Sequence, residues 1–159
     1  MQAEALNRHH VEVVREYQET PRISVDKHKV LQILLNLLSN AKHAMTERNA
    51  NPEKRLVLGA ARNGPDFISL TISDTGVGIP PENLTRIFQH GFTTKKDGHG
   101  FGLHLGAVAA KEMGGALKVF SEGAGHGARF VLELPVTQKR TGPSAGSKLA
   151  YQARSVNRT

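Results

Sequence analysis

Asp74-Thr-Gly-Val-Gly-Ile-Pro80 is the most informative motif of this chain, and Gly98-His-Gly-Phe-Gly-Leu103 follows it further along the chain. The first stretch places a carboxylate at the end of a predicted strand and leads directly into a glycine turn. Alternate glycines in the second stretch let backbone N–H groups converge on an anion, and the helix predicted after it adds its positive N-terminal end. The pair predicts a pocket that holds a purine by its edge and phosphates by backbone N–H groups.

The side chain of Asp74 is expected to point towards the helices, because it has the same parity as the apolar residues of the strand predicted over 66–73. A buried carboxylate is costly unless it accepts hydrogen bonds, and an adenine 6-amino group would supply one. Gly76 and Gly78 let the backbone turn tightly and leave room for a flat base. Taken alone, Asp-Thr-Gly is a common strand exit and predicts only a turn. The inward parity and the later glycine loop favour the pocket.

Two asparagines on an upstream helix complete the pattern. Asn36 and Asn40 are four residues apart and share a helix face, on which His43 also lies. The rest of this helix is apolar, so two amides in its middle need partners. An asparagine oxygen can ligate Mg²⁺, which prefers oxygen ligands and takes much of its shell from phosphates and water. The alternative is a pair of amides on the helix surface, but the three elements together suggest a magnesium–nucleotide site.

The chain of 159 residues has the size of one domain, which we expect over residues 1–136. Residues 137–159 are polar and basic, and they are predicted to form a disordered tail. The net charge of +7 is concentrated there, since the tail holds five basic residues and no acid, which leaves 16 basic and 14 acidic residues in the rest of the chain. With six Phe, two Tyr and no basic stripe among them, binding to nucleic acid is not expected.

The absence of cysteine excludes disulfides and thiolate metal sites. No apolar run approaches the roughly 20 residues that would span a membrane, and the first residues show no signal pattern. We therefore expect a soluble, cytoplasmic domain without membrane contact of its own, either free or cut from a larger sensor that is soluble or membrane-anchored.

Hydrophobic periodicity and turn residues give the order strand, helix, two strands, helix, two strands. One sheet with helices on one face accommodates that order, and the alternation of apolar residues in the strands predicts one apolar sheet face. The predicted elements are a strand over 10–16, a helix from a cap at 24–26 to about 48, strands over 55–62 and 66–73, a short helical piece at 82–88, a helix over 103–113, and strands over 116–121 and 128–134.

In these motifs the chain resembles the catalytic, ATP-binding domain of bacterial sensor histidine kinases, within the superfamily that also holds DNA gyrase and heat-shock chaperones. Leu34–Ala41 resembles the N box of that family, Asp74–Gly78 its G1 box, Phe88–Lys95 its F box and lid, and Gly98–Leu103 its G2 box. The resemblance implies the Bergerat ATP-binding fold, which is an α+β, two-layer sandwich. In it a mixed sheet of about five strands carries about three helices on one face, and residues 79–100 would form a mobile lid.

The resemblance also implies a role for each site residue. Asn40 would ligate Mg²⁺, Asn36 would support the phosphate site, and Asp74 would accept the adenine amino group. Lys95 would approach the γ-phosphate, so Asn36, Asn40 and Lys95 are the residues implied in catalysis. The full set implied in nucleotide binding is Asn36, Asn40, His43, Asp74, Gly76, Gly78, Ile79, Phe92, Thr94, Lys95, Gly98, Gly100, Phe101, Gly102 and Leu103.

The sequence departs from the family in three places. The F box usually reads Phe-x-Pro-Phe, whereas this chain has Phe88-Gln-His-Gly91 followed by Phe92. In the hydrolysing relatives, a glutamate four residues before the Mg²⁺-binding asparagine activates water; here that position is Asn36, which cannot act as a general base. None of the eight histidines is followed by the residues typical of the family's acceptor histidine. Asn36 favours phosphoryl transfer over ATP hydrolysis, and the missing acceptor pattern implies that the receiving histidine is supplied elsewhere.

The resemblance thus implies a protein-histidine kinase domain that uses ATP and Mg²⁺. It would donate the γ-phosphate to a histidine on separate phosphoacceptor and dimerisation helices, in a two-component system with a response-regulator receiver domain. Two alternatives stay open: an anti-sigma-factor serine kinase of the same superfamily, and a non-catalytic, nucleotide-gated interaction module.

Overall fold

The computed structural model describes residues 11–47, 52–94 and 100–137. The elements follow the predicted order, with shifts of one or two residues at most of their ends. They are β1 (Glu12–Tyr17), α1 (Lys27–Thr46), β2 (Arg55–Asn63), β3 (Phe67–Asp74), α2 (Pro81–Leu84), α3 (Gly102–Glu112), β4 (Ala116–Phe120) and β5 (Ala128–Pro135).

The five strands form one mixed sheet in the order β1-β2-β3-β5-β4. β1 pairs with β2 in parallel, and the other neighbouring strands are antiparallel. α1 packs against α3, and both helices contact the sheet. Within the described residues, the predicted α+β fold with a five-stranded mixed sheet and three helices is confirmed.

The core lies between the apolar face of the sheet and the two long helices. Its largest fully buried side chains are Leu37 and Met45 of α1, Leu56 of β2, and Leu132 and Leu134 of β5. Burying each of them stabilises the fold by about 1.5–3 kcal/mol relative to exposure. The same alternation that places the strand side chains in this core directs the last residue of β3 towards the helices.

The sequence sets the start and the orientation of α1. The Asp26 carboxylate accepts hydrogen bonds from the backbone N–H groups of His28, at 3.0 Å, and Lys29, at 3.1 Å, so it caps the helix. Apolar residues at helical spacing then turn one stripe of α1 towards the sheet. The buried residues of that stripe are Ile33, Leu37, Ala41 and Met45.

The short helix is shorter than predicted. The sequence predicted helical structure over 82–88, but α2 ends at Leu84. After one remaining helical bond from the Ile87 N–H to the Asn83 carbonyl, at 2.9 Å, the chain continues in turns, in which the Gln89 N–H donates to the Arg86 carbonyl at 2.8 Å. Turn bonds between residues three apart replace the helical ladder there.

The predicted boundary between domain and tail stays a prediction, because residues 138–159 lie outside the described part of the chain. Among the helices that the structure describes, none is both long enough and apolar enough to cross a membrane.

Candidate nucleotide-binding site

A cavity of about 580 Å³ opens between α1, the end of β3, the segment after it and the start of α3. Its size falls within the range of small-molecule sites, about 300–1,000 Å³. Most of the residues that the sequence nominated line this one cavity. They are Asn36, Asn40, His43, Asp74, Gly78, Ile79, Phe92, Thr94, Gly100, Phe101, Gly102 and Leu103.

Three nominated residues are not in that set. Gly76 does not line the cavity, but it lies directly behind the lining, where an added Cβ would fall 2.5 Å from the carbonyl carbon of Ala44. Lys95 and Gly98 lie outside the described residues, so their roles and the predicted lid over 79–100 stay predictions.

Asp74 is the one buried charged side chain among the described residues, and only 8% of it is exposed. Its Oδ1 accepts a hydrogen bond from the Gly76 N–H at 2.9 Å. Burial raises the pKa of this carboxyl from 3.8 to about 6, while hydrogen bonds from the N–H groups of Gly76 and Ala128 act in the opposite direction. The cavity therefore contains a carboxylate whose charged form is destabilised by burial and which can accept a further hydrogen bond. Such a group is suited to a neutral hydrogen-bond donor.

The raised pKa predicts how Asp74 affects stability. Since the folded protein holds this proton more tightly than the unfolded chain, Asp74 lowers the free energy of unfolding as the pH rises from about 4 through about 6. Above pH 6 this decrease in the free energy of unfolding is on the order of 2–3 kcal/mol. Asp74→Asn is therefore expected to be more stable than the wild type at pH 7.5 and nearly equal to it at pH 4, as measured by urea unfolding. A stability difference that does not change with pH would contradict the assignment.

The glycine turn after Asp74 is held in place by α1 and by a second glycine hairpin. The Val77 N–H donates to the Ala44 carbonyl at 3.1 Å, and the Gly125 N–H donates to the Val77 carbonyl at 2.7 Å. Gly78 has φ +74°, and an added Cβ would fall 2.0 Å from the Gly123 carbonyl oxygen. The hairpin over 123–127 therefore forms the wall behind the turn.

Gly78→Ala is expected to destabilise the domain by about 3 kcal/mol or more, because it adds a backbone clash to an unfavourable positive φ. Gly64 is a matched control, since it has φ +69° and no atom within 4 Å of an added Cβ. Gly64→Ala should cost only the backbone strain, about 1–2 kcal/mol. Urea unfolding of both variants measures the difference, and equal losses would show that the contact with the hairpin does not matter.

The other end of the cavity is lined by amides. An added Cβ on Gly102 would fall 2.4 Å from Asn36 Oδ1, so the first turn of α3 lies directly against this side chain. The N-cap residue of α3 is Phe101, and its side chain makes no capping hydrogen bond. The first-turn N–H groups of α3 and the positive end of its dipole are suited to an anion. Asn36 and Asn40 bring two amide oxygens to the same end.

The amide oxygens of Asn36 and Asn40 are suitable ligands for a magnesium ion that is also bound by nucleotide phosphates. The described residues hold no group of three or more His, Cys, Asp or Glu that could cage a metal. A bound Mg²⁺ would be held by Asn40, with Asn36 nearby, and by nucleotide phosphate and water, which is the mixed oxygen shell that this ion prefers.

Part of the cavity wall was not predicted from the sequence. Glu47 lines it and lies with its Oε1 3.2 Å from His43 Nε2, and the spacing of four residues on α1 could have identified this pair. Ala128 and Phe130 could not be found in this way, because only strand pairing places them beside Asp74 and Ile72. The lining residues outside the nominated set are Ala44, Glu47, Val77, Pro80, Asn83, Ile87, Thr93, Ala128 and Phe130.

Comparison with protein families identifies the same region of the chain. Residues 25–138 match the family described as histidine kinase-, DNA gyrase B-, and HSP90-like ATPase. Sensor histidine kinase ZraS of Salmonella typhi is 39% identical over 119 residues, which cover 75% of this chain and 24% of that protein. Sensor protein CitS of Halalkalibacterium halodurans is 36% identical over 124 residues, which cover 77% of this chain and 22% of that protein. The chain thus spans about a quarter of the length of these relatives.

Solved structures agree on the architecture. The catalytic domain of histidine kinase ThkA, in a nucleotide-free form, superposes with a TM-score of 0.72 and 24% identity, covering 85% of this chain and 86% of that chain. At this identity the likeness shows the fold alone. The site is defined by the residues that line the cavity.

Proposed function

Because this chain belongs to the histidine kinase-, DNA gyrase B- and HSP90-like ATPase family, we propose that it binds Mg-ATP and donates the γ-phosphate to a histidine. That histidine would lie on a separate dimerisation and phosphoacceptor domain of a two-component system. The observation that carries the proposal is the convergence of Asp74, the N-box amides and the first turn of α3 on one cavity.

The base end of the site is assigned to Asp74. Its carboxylate is buried at the end of β3 and has one oxygen bonded to the Gly76 N–H, which leaves acceptor capacity for a further donor. The exocyclic amino group of adenine is such a donor, and the glycine turn over 76–78 leaves a flat space beside it. Guanine presents a carbonyl at that position, which a carboxylate would repel, so the site favours adenine.

The phosphate end is assigned to Asn36, Asn40 and the start of α3. A bound Mg²⁺ supplies positive charge that neutralises the phosphates as the γ-phosphoryl group is transferred. Asn40 would hold it, while the N–H groups of the first turn of α3 would hold phosphate oxygens. Lys95 is proposed as a further cation for the γ-phosphate. The protein thereby contributes positioning and fixed electrostatics, with no covalent step on its own side chains.

The amide at Asn36 favours transfer over hydrolysis. It lies at the phosphate end, against Gly102, and an amide cannot remove a proton from water. Among the carboxylates that line the cavity, Asp74 lies at the base end, and Glu47 faces His43. The γ-phosphate is therefore kept for a nucleophile that a partner brings. We propose as partners the phosphoacceptor helices of a histidine kinase and, after transfer, a response-regulator receiver domain.

The proposal is tested by incubating the chain with ATP labelled on the γ-phosphate and a separately purified acceptor-helix fragment of a sensor histidine kinase. Acid-labile, base-stable label on the fragment is the expected result, because phosphohistidine has that stability. Label on serine of an added protein would identify the anti-sigma-factor kinase instead. Binding of Mg-ATP without transfer would identify a nucleotide-gated interaction module, and absence of Mg-ATP binding would overturn all three functions.

A further inference from the structure

The segment that departs most from the family pattern is connected to α3 by a cluster of rings. In this chain Gln89-His90-Gly91 separates Phe88 from Phe92. The ring of His90 lies 4.8 Å from that of Phe101, at an interplanar angle of 40°. It also lies 5.2 Å from the ring of His104, which it meets edge-on at 89°. The two histidines therefore bridge this segment to the first turn of α3.

A hydrogen bond fixes the orientation of His104. Its Nδ1 lies 3.0 Å from the Phe88 carbonyl oxygen, in a half-buried position. A carbonyl oxygen can only accept, so Nδ1 carries the proton and donates it. This bond joins a side chain of α3 to the backbone of the preceding segment, and it holds the imidazole ring where His90 packs against it.

The backbone next to these rings belongs to the phosphate end of the cavity. The Gly91 N–H donates to the Gly100 carbonyl at 3.2 Å. Gly100 has φ +69°, and an added Cβ would fall 2.4 Å from the Gly91 carbonyl carbon, so the two backbones are in direct contact. Gly100 and Phe101 both line the cavity, whereas His90 and His104 do not.

We propose that His104 and His90 are positioning residues, which clasp the segment over 88–92 to the first turn of α3 and so hold the phosphate-binding backbone in shape before the nucleotide arrives. The clasp lies where this chain has Gln89-His90-Gly91 and lacks the proline of the F-box pattern. Its effect on nucleotide binding rests on the proposed function, while its effect on the segment itself does not. His90 contributes by packing on Phe101, and His104 contributes by the bond from Nδ1.

Three substitutions at one position test the clasp. His104→Asn keeps an N–H donor close to the place of Nδ1, His104→Gln moves the donor to the place of Nε2, and His104→Ala removes it. In His104→Ala and His104→Gln we expect the amides of 89–92 to exchange hydrogen about tenfold faster in the free protein, because the bond from Nδ1 to the Phe88 carbonyl, which ties this segment to α3, is lost. The affinity for Mg-ATP, measured by isothermal titration, should fall about fivefold in both variants and stay within about twofold of wild type in His104→Asn.

His28→Ala is the matched control, because His28 is exposed in the first turn of α1 and does not line the cavity. It should change neither quantity, and circular dichroism checks the fold of each variant. Unchanged exchange in His104→Ala, or equal losses in the Asn and Gln variants, would overturn the clasp. Faster exchange with an undiminished affinity would overturn its role in nucleotide binding. A wild-type chain that does not bind Mg-ATP would instead overturn the proposed function, and the exchange data would still decide whether the clasp exists.

Discussion

Asp74→Asn is expected to abolish Mg-ATP binding, with an affinity loss of about a hundredfold or more, while the domain stays folded. The asparagine keeps the size of the side chain and an oxygen that can accept from the Gly76 N–H. Its second group, however, is an NH₂ donor, which would face the donor amino group of adenine in a cavity wall that is largely buried. Isothermal titration of Mg-ATP measures the loss.

The matched control for this variant is Asp66→Asn, which removes the same charge from an exposed position at the β2–β3 turn. It should bind Mg-ATP as the wild type does. Because the pKa of Asp74 is raised to about 6 by burial, Asp74→Asn should also unfold at a higher urea concentration than the wild type at neutral pH. Undiminished affinity in Asp74→Asn would count against the assignment of Asp74 to the base, whatever the stability shows.

Asn40→Ala is expected to remove the dependence of nucleotide binding on Mg²⁺ and to lower phosphoryl transfer about a hundredfold or more, since the metal contributes several kcal/mol of charge stabilisation. Asn40 lines the phosphate end of the cavity. The described residues hold no cluster of carboxylates or histidines that could bind the ion in its place. Titrating ATP with Mg²⁺ and then with excess EDTA measures the dependence in each variant.

Ser39→Ala is the matched control for Asn40, because Ser39 is the preceding residue of α1 and is exposed. Its affinity should respond to Mg²⁺ as the wild type does. If Asn40→Ala keeps the full response to Mg²⁺, then Asn40 is not the ligand and the ion must be held elsewhere, with Asn36 as the next residue to substitute.

Substitutions at the two ends of the cavity should affect the binding of ATP and of adenosine differently. Asp74 acts on the base, so its loss weakens ATP and adenosine alike. Asn40 acts on the metal and phosphates, so its loss spares adenosine. Because the two residues lie on different elements and touch different parts of the nucleotide, their effects on the free energy of binding should add. A strong departure from additivity would indicate that the two side chains do not contact opposite ends of one ligand.

Much of the fold could be predicted because each signal was local. The cap at Asp26 and the helical spacing of apolar residues defined α1, and period-two alternation defined β3 and β5. The direction of the Asp74 side chain, towards the helices, followed from that alternation. The segment after Pro80 was predicted less well, because its turns depend on bonds between residues three apart, which compete closely with a helix.

Local sequence was enough to predict the chemistry of the site: a carboxylate at the end of β3, amides four residues apart on α1, and glycines before α3. Which further residues share the cavity depends on tertiary packing. Phe130 reaches it because β5 pairs with β3 in one register, and His90 meets Phe101 because the backbones of Gly91 and Gly100 are hydrogen-bonded. Local patterns record the preferences of neighbouring residues, whereas contacts between distant segments are set by how the elements pack to bury the core.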